Sequence, residues 1–599
     1  PGPSSPEALP VAPPLRIPKG APPLDYQLRG ELHPASKTIR GRVRITLHNS
    51  STKPLSELRF HLYLNAFAHD RTRFAKSSGG VHRGRRRGAR GHLRVEAVWV
   101  GETKAKHETL HDGTVLSVTL PGPARAPGAR IEATLDFSAR LPRIYARTGH
   151  AGDFFMVAQW YPKLGVLRRD GSWFCPPFHA NEEFFANFAR YRLRFTLPAR
   201  YRVGHSGALR RRELSPDGAE QTLHIEARWV HDLALAAWPH FVEHRQQLRL
   251  PGRATAVRLR LLTVPGRGAG ERQLELLVDG LRRLARWFGA YPYGQLTVID
   301  VPARARGADA MEYPQLFTVW FPYGAPEAAR SVDEILLHEL THQYFQGLLA
   351  SNEVREPWLD EGLTTFVSAL LLDARLGKRR SFVDLDPLAL GQRDKNQLHQ
   401  ASGAESAAIA QPAAAFRSWH RYGAAVYGRT AALLITYRSL VGHRATIAAL
   451  RRYVQHHAFG HPRRADLLPT LIAGARPAQR PLVRRLLNQT LDGVAPFEVA
   501  LRCEKDTLVL ERGGIRLPLS LRWRRAGETT PRIIEVGLRG AAKGRFETPG
   551  LIDAEVGPPG RLPLSETPMT RRCSNRSGAL GASLRLWPLV QQLLSTVAL

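Results

Sequence analysis

The chain has 599 residues, a mass of 66.7 kDa, three cysteines and a formal net charge of +34. This length exceeds what one hydrophobic core usually supports, so a single-domain protein is excluded. Three cysteines cannot form a disulfide framework, so a disulfide-stapled scaffold is excluded as well. The positive charge, carried mostly by arginine, favours contact with anionic partners.

Residues 1–23 are rich in proline and small side chains and show no hydrophobic period, which predicts a flexible leader. From residue 24 to residue 252, apolar and polar residues alternate in short segments. Val43, Ile45 and Leu47 alternate with arginine and threonine in one such segment. This period of two predicts an antiparallel β domain with one face exposed to water.

A basic run, VHRGRRRGAR at residues 81–90, interrupts this domain as part of a basic loop over residues 81–94. We predict a solvated loop that holds anions electrostatically. Nucleic acid, an anionic membrane surface and an acidic polymer are the three candidate partners. Aromatic residues are not interleaved with the arginines, so nonspecific adhesion is favoured over specific nucleic-acid recognition.

After Pro265 the spacing of apolar residues changes from two to that of a helix, with Leu274, Leu277, Leu281 and Phe288 on one face. We place a second domain at residues 253–493. It begins with alternating helix and strand, including a strand at 296–301, and then becomes mainly helical. This organisation predicts a mixed α/β and then helical domain.

The candidate chemistry lies in this second domain. His338 and His342 are four residues apart, a spacing that stacks two side chains on one face of a helix. Ser331 and Glu334 form a predicted capping box at the start of that helix, and Gly347 offers a stop at its end.

Two histidines and one carboxylate commonly hold a catalytic zinc ion, with a fourth position left for water. Glu361 is the candidate third ligand, because a second predicted helix over residues 359–372 can return antiparallel to the first. Glu339, between the two histidines, stays free for proton transfer. The sequence therefore predicts a site for one Zn²⁺ ion with a general base built in.

Residues 494–570 alternate again and predict a small C-terminal β domain, with a hairpin whose turn lies at residues 512–514. The tail, residues 571–599, ends in an apolar stretch that is too short to span a membrane. We expect it to form a docking helix or an interfacial segment. We expect no transmembrane helix, and a start at Pro1 is compatible with export after removal of a preceding segment.

The pattern His338-Glu-x-x-His342, followed after eighteen residues by Glu361 within Trp358-Leu-Asp-Glu-Gly362, resembles the gluzincin aminopeptidases, the family of aminopeptidase N and leukotriene hydrolase. The resemblance implies a thermolysin-like catalytic domain at residues 253–493, one zinc ion, and peptide substrates with a free N-terminus. It also implies that Glu339 is the general base.

Three further segments resemble the same family in the right order. Ala310-Met311-Glu312-Tyr313 resembles the Gly-x-Met-Glu-Asn motif, whose glutamate binds the free amino group of the substrate; Glu312 takes that role by position. The sequence departs from the motif, because Asp309 stands in place of glycine and Tyr313 in place of asparagine.

Val426-Tyr427-Gly-Arg resembles the segment whose tyrosine hydrogen-bonds the tetrahedral intermediate, which implies that Tyr427 stabilises the oxyanion. Tyr422 is the competing assignment. Met156-Val-Ala-Gln159 resembles the strand whose glutamine lines the first side-chain pocket, so Gln159 is a candidate substrate-binding residue. Cys175 and His179 resemble half a metal site, but we interpret them as buried loop residues.

We therefore predict a multidomain α+β protein that acts as a zinc metallopeptidase of the aminopeptidase type. Two alternatives stay open at this point. One is an endopeptidase or epoxide hydrolase on the same zinc site, suggested by the changed residues beside Glu312. The other is a basic polyanion-binding protein on a peptidase scaffold.

Overall fold

The computed structural model describes residues 10–78, 90–266, 270–322, 324, 326–385, 388–396, 407–493, 498–513, 517, 519–536, 543–556 and 572–574. Residues 79–89, most of the predicted basic run, lie outside this part of the chain. The same holds for the tail, except for residues 572–574, and for the first nine residues of the leader.

The N-terminal region is built from strands, as the alternating sequence predicts. An eight-stranded sheet has the order β16-β17-β14-β1-β2-β8-β4-β5, and smaller sheets pack beside it. The strands are β1 (Leu24–His33), β2 (Thr38–His48), β3 (Glu57–His61), β4 (His92–Val100), β5 (Thr103–Lys104), β6 (His107–Leu110), β7 (Val115–Thr119), β8 (Arg130–Arg140), β9 (Gly149–Ala151), β10 (Phe154–Val157), β11 (Lys163–Leu164), β12 (Val166–Leu167), β13 (Trp173–Phe174), β14 (Ala189–Pro198), β15 (Arg202–His205), β16 (Ala208–Leu214), β17 (Glu220–Val230) and β18 (Leu235–Trp238).

The pairing within the large sheet is antiparallel except between β1 and β14, which run parallel. Val43, Ile45 and Leu47 on β2 are buried, while Arg42 and Arg44 point to solvent. This confirms the predicted sheet with one apolar and one wet face.

The central region combines a four-stranded sheet with helices. The strands are β19 (Val242–Leu248), β20 (Val257–Thr263), β21 (Gln295–Asp300) and β22 (Leu316–Val319), in that order across the sheet, and β23 (Val383–Leu385) pairs with β24 (Leu388–Leu390). A short helix, α1 (Arg73–Ser77), belongs to the N-terminal region. The helices of the central region are α2 (Glu271–Phe288), α3 (Ser331–Phe345), α4 (Glu361–Leu376), α5 (Trp419–Gly423), α6 (Thr430–Val441), α7 (His443–His457), α8 (Arg464–Gly474) and α9 (Arg480–Asp492). Short 3₁₀ turns lie at Tyr63–Phe67, Ala303–Ala308, Glu327–Ala329, Pro357–Leu359, Ala413–Ala415 and Pro477–Gln479.

Helix α2 and strand β21 appear where the sequence predicts them. Strands β19 and β20 pair antiparallel along their whole length, and β20 pairs parallel with β21. The sheet of the central region therefore continues across residue 252, where we placed the domain boundary.

The prediction of a flexible leader is wrong for residues 10–23. Ala12 and Leu15 are buried, and the Ala12 amide donates a hydrogen bond of 3.1 Å to the Arg286 carbonyl at the end of α2. Arg451 and Gln455 on α7 donate to carbonyl groups of Pro10 and Pro13. An extended proline-rich segment can dock through its carbonyl groups without any hydrophobic period, so the sequence pattern did not reveal this contact.

The C-terminal region is made of strands, which confirms the predicted β domain. Its strands are β25 (Glu498–Glu504), β26 (Thr507–Gly513), β27 (Leu519–Arg525), β28 (Arg532–Val536), β29 (Lys543–Glu547), β30 (Leu551–Val556) and β31 (Arg572–Ser574). The predicted hairpin is wrong, because β26 pairs with β25 and β29 whereas β27 pairs with β28 and β30. Cys503 and Cys573 form a disulfide, and Cys175 is a buried free cysteine.

Within the described residues, no helix combines the length and the apolar character that crossing a bilayer requires.

The buried His205 predicts a loss of stability in acid. Its Nδ1 lies 3.1 Å from the Ser206 carbonyl oxygen and its Nε2 lies 3.1 Å from Nη1 of Arg260. Burial and the neighbouring Arg260 lower the pKa of His205 to about 3. In the unfolded chain the His205 ring binds a proton near pH 6.5, whereas in the folded chain it stays neutral down to about pH 3. The His205 contribution to the free energy of unfolding is therefore complete above pH 6.5 and decreases as the pH falls toward 3.

We expect the His205 contribution lost at pH 5 to be on the order of 2 kcal/mol in the free energy of unfolding. Urea unfolding of the parent and of His205→Gln at pH 7 and pH 5 measures it, with exposed His420→Gln as the matched control. The His205 variant should lose less stability between the two pH values than the parent and the control. Equal losses in all three proteins would contradict the assignment.

Candidate active site

Helix α3 brings the side chains of both histidines to one point. The Nε2 atoms of His338 and His342 lie 3.0 Å apart, as expected for residues one turn apart on a helix. The helix begins at Ser331, but the predicted capping box is wrong: the preceding Arg330 has a left-handed backbone with φ of 53°, and Ser331 is already the first helical residue. The helix ends at Phe345, and the Gly347 amide donates to the His342 carbonyl at 2.8 Å.

Glu361 reaches the same point from helix α4. It is the first residue of that helix, after the 3₁₀ turn Pro357–Leu359. Its Oε2 lies 3.2 Å from Nε2 of His338 and 3.2 Å from Nε2 of His342. The three candidate ligand atoms thus form a near-equilateral triangle.

This triangle fits a zinc ion. Tetrahedral zinc with bonds of about 2.0–2.1 Å to nitrogen and oxygen separates its ligand atoms by roughly 3.3 Å. His342 is buried, whereas the His338 side chain keeps 20% of its surface exposed, so solvent reaches the triangle on the His338 side. Two imidazoles and one carboxylate leave one position free for water, which is the donor set of a catalytic site.

Asp360 hydrogen-bonds the ring nitrogen of His342 that lies away from the triangle. Its Oδ1 lies 2.7 Å from Nδ1 of His342, and both side chains are buried. A proton on Nδ1 shared with Asp360 leaves the Nε2 lone pair of His342 directed at the triangle. The residue therefore fixes the tautomer and the orientation of the imidazole ring.

Glu339 is buried one residue from His338. One of its carboxylate oxygens lies within 4.8 Å of the ligand nitrogens of both histidines. Burial raises the pKa of Glu339 to about 8, against the opposing charge of His342. Among the described residues, its buried Oε2 has no hydrogen-bond partner. A carboxylate oxygen without a partner at this position can exchange a proton with a water molecule.

Tyr427 contacts the triangle through Glu361. It lies on the π-helical segment Ala424–Arg429, which connects α5 and α6. Its hydroxyl donates a hydrogen bond of 2.5 Å to Oε1 of Glu361. A Cβ at Gly362 would collide with the Thr430 side chain and lie 2.9 Å from the Val426 carbonyl oxygen. The glycine therefore allows the tyrosine-bearing segment to approach α4.

Tyr422, the competing assignment, lies five residues before Tyr427 and is buried. Its ring stacks on Trp419 with ring centroids 5.0 Å apart. Its ring centroid is 6.1 Å from that of Tyr427. Of the two tyrosines, the structure places the Tyr427 hydroxyl against a candidate ligand.

Glu312 joins the site from the segment before β22. One of its carboxylate oxygens lies within 4.8 Å of His342 and Asp360, and burial raises the pKa of the carboxyl well above its usual range. Within the described part of the chain, its buried Oε1 lacks a hydrogen-bond partner. A buried acceptor of this kind suits a positively charged group brought by a ligand.

Gln343 connects the Glu312 segment to the histidine helix. Its Nε2 donates to the Tyr313 carbonyl at 3.1 Å, and its Oε1 accepts from the Gln315 amide at 2.9 Å. The segment next to Glu312 is therefore attached to α3 one residue beyond His342.

Gln159 lies in the N-terminal region with a left-handed backbone and is 1% exposed. Its Nε2 donates to Oδ2 of Asp232 at 2.5 Å, and its Oε1 accepts from Nζ of Lys163 at 2.7 Å. Lys163 itself is fully buried and contacts Asp232 at 2.7 Å. Both ends of the Gln159 amide are thus engaged within a buried polar network.

Asp360 gives a test of the supporting contact. Replacing it with asparagine removes the charge that holds the Nδ1 proton of His342, so we expect zinc affinity to fall by about 10- to 100-fold. Competition with a chromogenic chelator measures the dissociation constant, and Asp217→Asn in an exposed turn is the control. Parent-like zinc affinity in Asp360→Asn would rule out this supporting role.

The sequence analysis assigned no role to Asp360 or Gln343. Asp360 stood inside the quoted Trp-Leu-Asp-Glu-Gly motif, and the need of a metal-binding histidine for an acceptor at its second nitrogen was the available signal. Gln343 contacts residues about thirty positions away in sequence, and no local pattern marks it.

Residues 273–488 match the family described as the Peptidase family M1 domain. This stretch is therefore an M1-type peptidase domain by sequence similarity. The matched stretch contains every candidate residue of the site except Gln159.

Aminopeptidase M1-D of Oryza sativa subsp. japonica is 22% identical over 231 residues, which cover 36% of this chain. The match spans a quarter of the length of that M1 protein.

Two solved structures share the fold. One is a mutant M1 zinc metallopeptidase from Deinococcus radiodurans bound to a Tyr-Ser-Ala substrate, with 19% identity and a TM-score of 0.54 over 80% of this chain and 96% of that one. The other is Legionella pneumophila aminopeptidase A in complex with aspartic acid, with 13% identity and a TM-score of 0.65 over 95% of this chain and 61% of that one.

Proposed function

We propose that this chain is a zinc aminopeptidase that removes N-terminal residues from peptides. One observation carries the proposal: the carboxyl groups of Glu339 and Glu312 lie close to the ligand triangle of His338, His342 and Glu361. The Deinococcus relative bound to Tyr-Ser-Ala and the rice aminopeptidase support a peptide substrate.

His338, His342 and Glu361 would hold the zinc ion. When bound, zinc supplies Lewis acidity, which polarises a carbonyl group and lowers the pKa of a water molecule from about 15.7 toward 7. A positive charge at the triangle also favours the ionised form of Glu339, because opposite charge lowers the pKa of a buried carboxyl. Glu339 is therefore ready to act as a base in the loaded enzyme.

The chain's own residues then move the protons. Glu339 takes a proton from the attacking water while the water oxygen forms a bond to the scissile carbonyl carbon. Tyr427 donates a hydrogen bond to the oxygen on which negative charge develops. The carbon–nitrogen bond breaks as Glu339 passes its proton to the departing amine.

Glu312 selects for a free N-terminus. An α-ammonium group placed against its buried carboxylate forms a charge-assisted hydrogen bond. An acetylated terminus cannot form this ion pair and leaves the carboxyl buried without a partner. Burial raises the pKa of Glu312 because an unpaired carboxylate is unfavourable there, and a bound ammonium group removes that penalty.

The test is a panel of unblocked and N-acetylated aminoacyl arylamides and peptides, assayed with and without a zinc chelator. We expect chelator-sensitive hydrolysis of unblocked substrates alone. Equal cleavage of blocked peptides would favour the endopeptidase alternative, and no chelator-sensitive hydrolysis would refute the proposal. Most of the basic run that suggested polyanion binding lies outside the described residues, so polyanion binding is not part of the proposal.

Replacing Glu312 with alanine should weaken terminus selection. Loss of one hydrogen bond to a charged group costs about 1.5–3 kcal/mol, which corresponds to about 10- to 100-fold in kcat/KM for unblocked substrates. The ratio of kcat/KM for unblocked over N-acetylated substrates measures the effect. Exposed Glu275→Ala on α2 is the control, and an unchanged ratio in Glu312→Ala would show that Glu312 does not bind the amine.

A further inference from the structure

A tight turn in the N-terminal region reaches the segment that carries Glu312. The turn spans Tyr145–Thr148, and its ends exchange backbone hydrogen bonds of 3.0 and 3.4 Å. Its two central residues, Ala146 and Arg147, have φ of 44° and 78°. Asparagine and glycine are the usual residues at two consecutive positive φ angles, because other side chains cost roughly 1–2 kcal/mol each there. Such strain persists where surrounding contacts fix the backbone.

Arg147 makes those contacts with one short segment, residues 307–313. Its backbone amide donates to the Gly307 carbonyl at 3.0 Å. Its Nη1 donates to the Asp309 carbonyl oxygen, and its own carbonyl oxygen accepts from the Tyr313 hydroxyl at 2.9 Å. One residue of the N-terminal region therefore holds both ends of the segment that contains Glu312.

Two of these partners are the positions at which the sequence departs from the Gly-x-Met-Glu-Asn motif. The phenol of Tyr313 reaches the Arg147 carbonyl from a buried position, a reach that an asparagine side chain does not have. Asp309 contributes its carbonyl oxygen to the guanidinium. The changed motif residues and Arg147 thus form one connected unit.

The guanidinium also lies among carboxyl groups. Its Nη2 is 3.5 Å from Oε1 of Glu183. Burial alone would lower the pKa of Arg147, but the charges of Glu183, Glu312, Asp309 and Glu339 outweigh it and raise the pKa. Arg147 therefore stays charged beside these carboxyl groups, with its Nη1 and Nη2 groups directed to different partners.

We propose that Arg147 is a positioning residue for substrate selection, which holds segment 307–313 so that Glu312 faces the free amino group of a peptide. The selection step rests on the aminopeptidase function proposed above, and the positioning of the segment does not. Arginine is required because its planar guanidinium directs two separate nitrogen donors to Asp309 and Glu183, whereas a lysine ammonium group is a single point charge.

The test compares Arg147→Met and Arg147→Lys with Arg143→Met, an exposed position on the same loop. We expect KM for an unblocked aminoacyl arylamide to rise about 10-fold or more in both Arg147 variants, with a smaller change in kcat. Hydrogen exchange of the backbone amides of residues 307–313 should rise in both variants and stay unchanged in helix α3. Arg143→Met should match the parent in both measurements.

Tyr313→Phe provides a second variant that removes only the phenol donor, and we expect the same changes at smaller size. Unchanged exchange in residues 307–313 of Arg147→Met would overturn the proposal, as would parent-like KM in Arg147→Lys. A parent protein without chelator-sensitive hydrolysis would refute the proposed function instead, and the exchange measurement would then decide the positioning role by itself.

Discussion

Replacing Glu339 with glutamine should leave zinc binding intact and lower kcat by about 10²- to 10⁴-fold, the range that a positioned general base contributes. Glutamine keeps the shape of the side chain but cannot accept a proton from water. The ligand triangle of His338, His342 and Glu361 does not include Glu339, so the metal content should stay at one ion per chain.

The measurement pairs zinc analysis of the purified variant with steady-state kinetics on an unblocked aminoacyl arylamide. Glu275→Gln on α2 makes the same chemical change at an exposed position and should retain parent activity. Turnover near the parent value in Glu339→Gln would refute the base assignment. Loss of zinc together with activity would show that Glu339 supports the metal site instead.

Replacing Tyr427 with phenylalanine should lower kcat by about 10²- to 10³-fold, as the loss of one oxyanion donor does in other hydrolases. The hydroxyl that contacts Glu361 at 2.5 Å is the group removed, while the ring stays. Because the oxyanion forms only in the transition state, KM should change little.

Tyr422→Phe is the matched control, since it tests the competing tyrosine with the same substitution. We expect its kcat to stay within about threefold of the parent, because the loss of a hydroxyl without a role in the transition state leaves the barrier unchanged. A larger effect in Tyr422→Phe than in Tyr427→Phe would reverse the assignment.

The convergence of His338, His342 and Glu361 could be predicted because it follows from local spacing. His338 and His342 lie on one helix face, and Glu361 opens the next long helix, which packs against the first and brings the three side chains together. Segments with a clear hydrophobic period, such as α2 and β2, were also predicted at nearly the observed positions.

Contacts between distant segments could not be predicted in this way. Arg147 and Asp309 are 162 residues apart in sequence, and no period or motif relates them. The C-terminal strands show the same limit, since alternation predicted β26 and β27 as strands but could not show that they join different sheets. Docking of Pro10–Pro13 depends on carbonyl groups, which the identity of a side chain does not reveal.

Strand β19 precedes the boundary that we placed at residue 252, yet it is hydrogen-bonded to β20 along seven residue pairs. Recombination at that boundary would sever the ladder and leave the amide and carbonyl groups of β20 open to pairing with other chains. The two halves of this protein therefore cannot be exchanged as independent modules at residue 252, and any natural fusion or engineered swap must carry residues 242–248 along with the zinc-binding half.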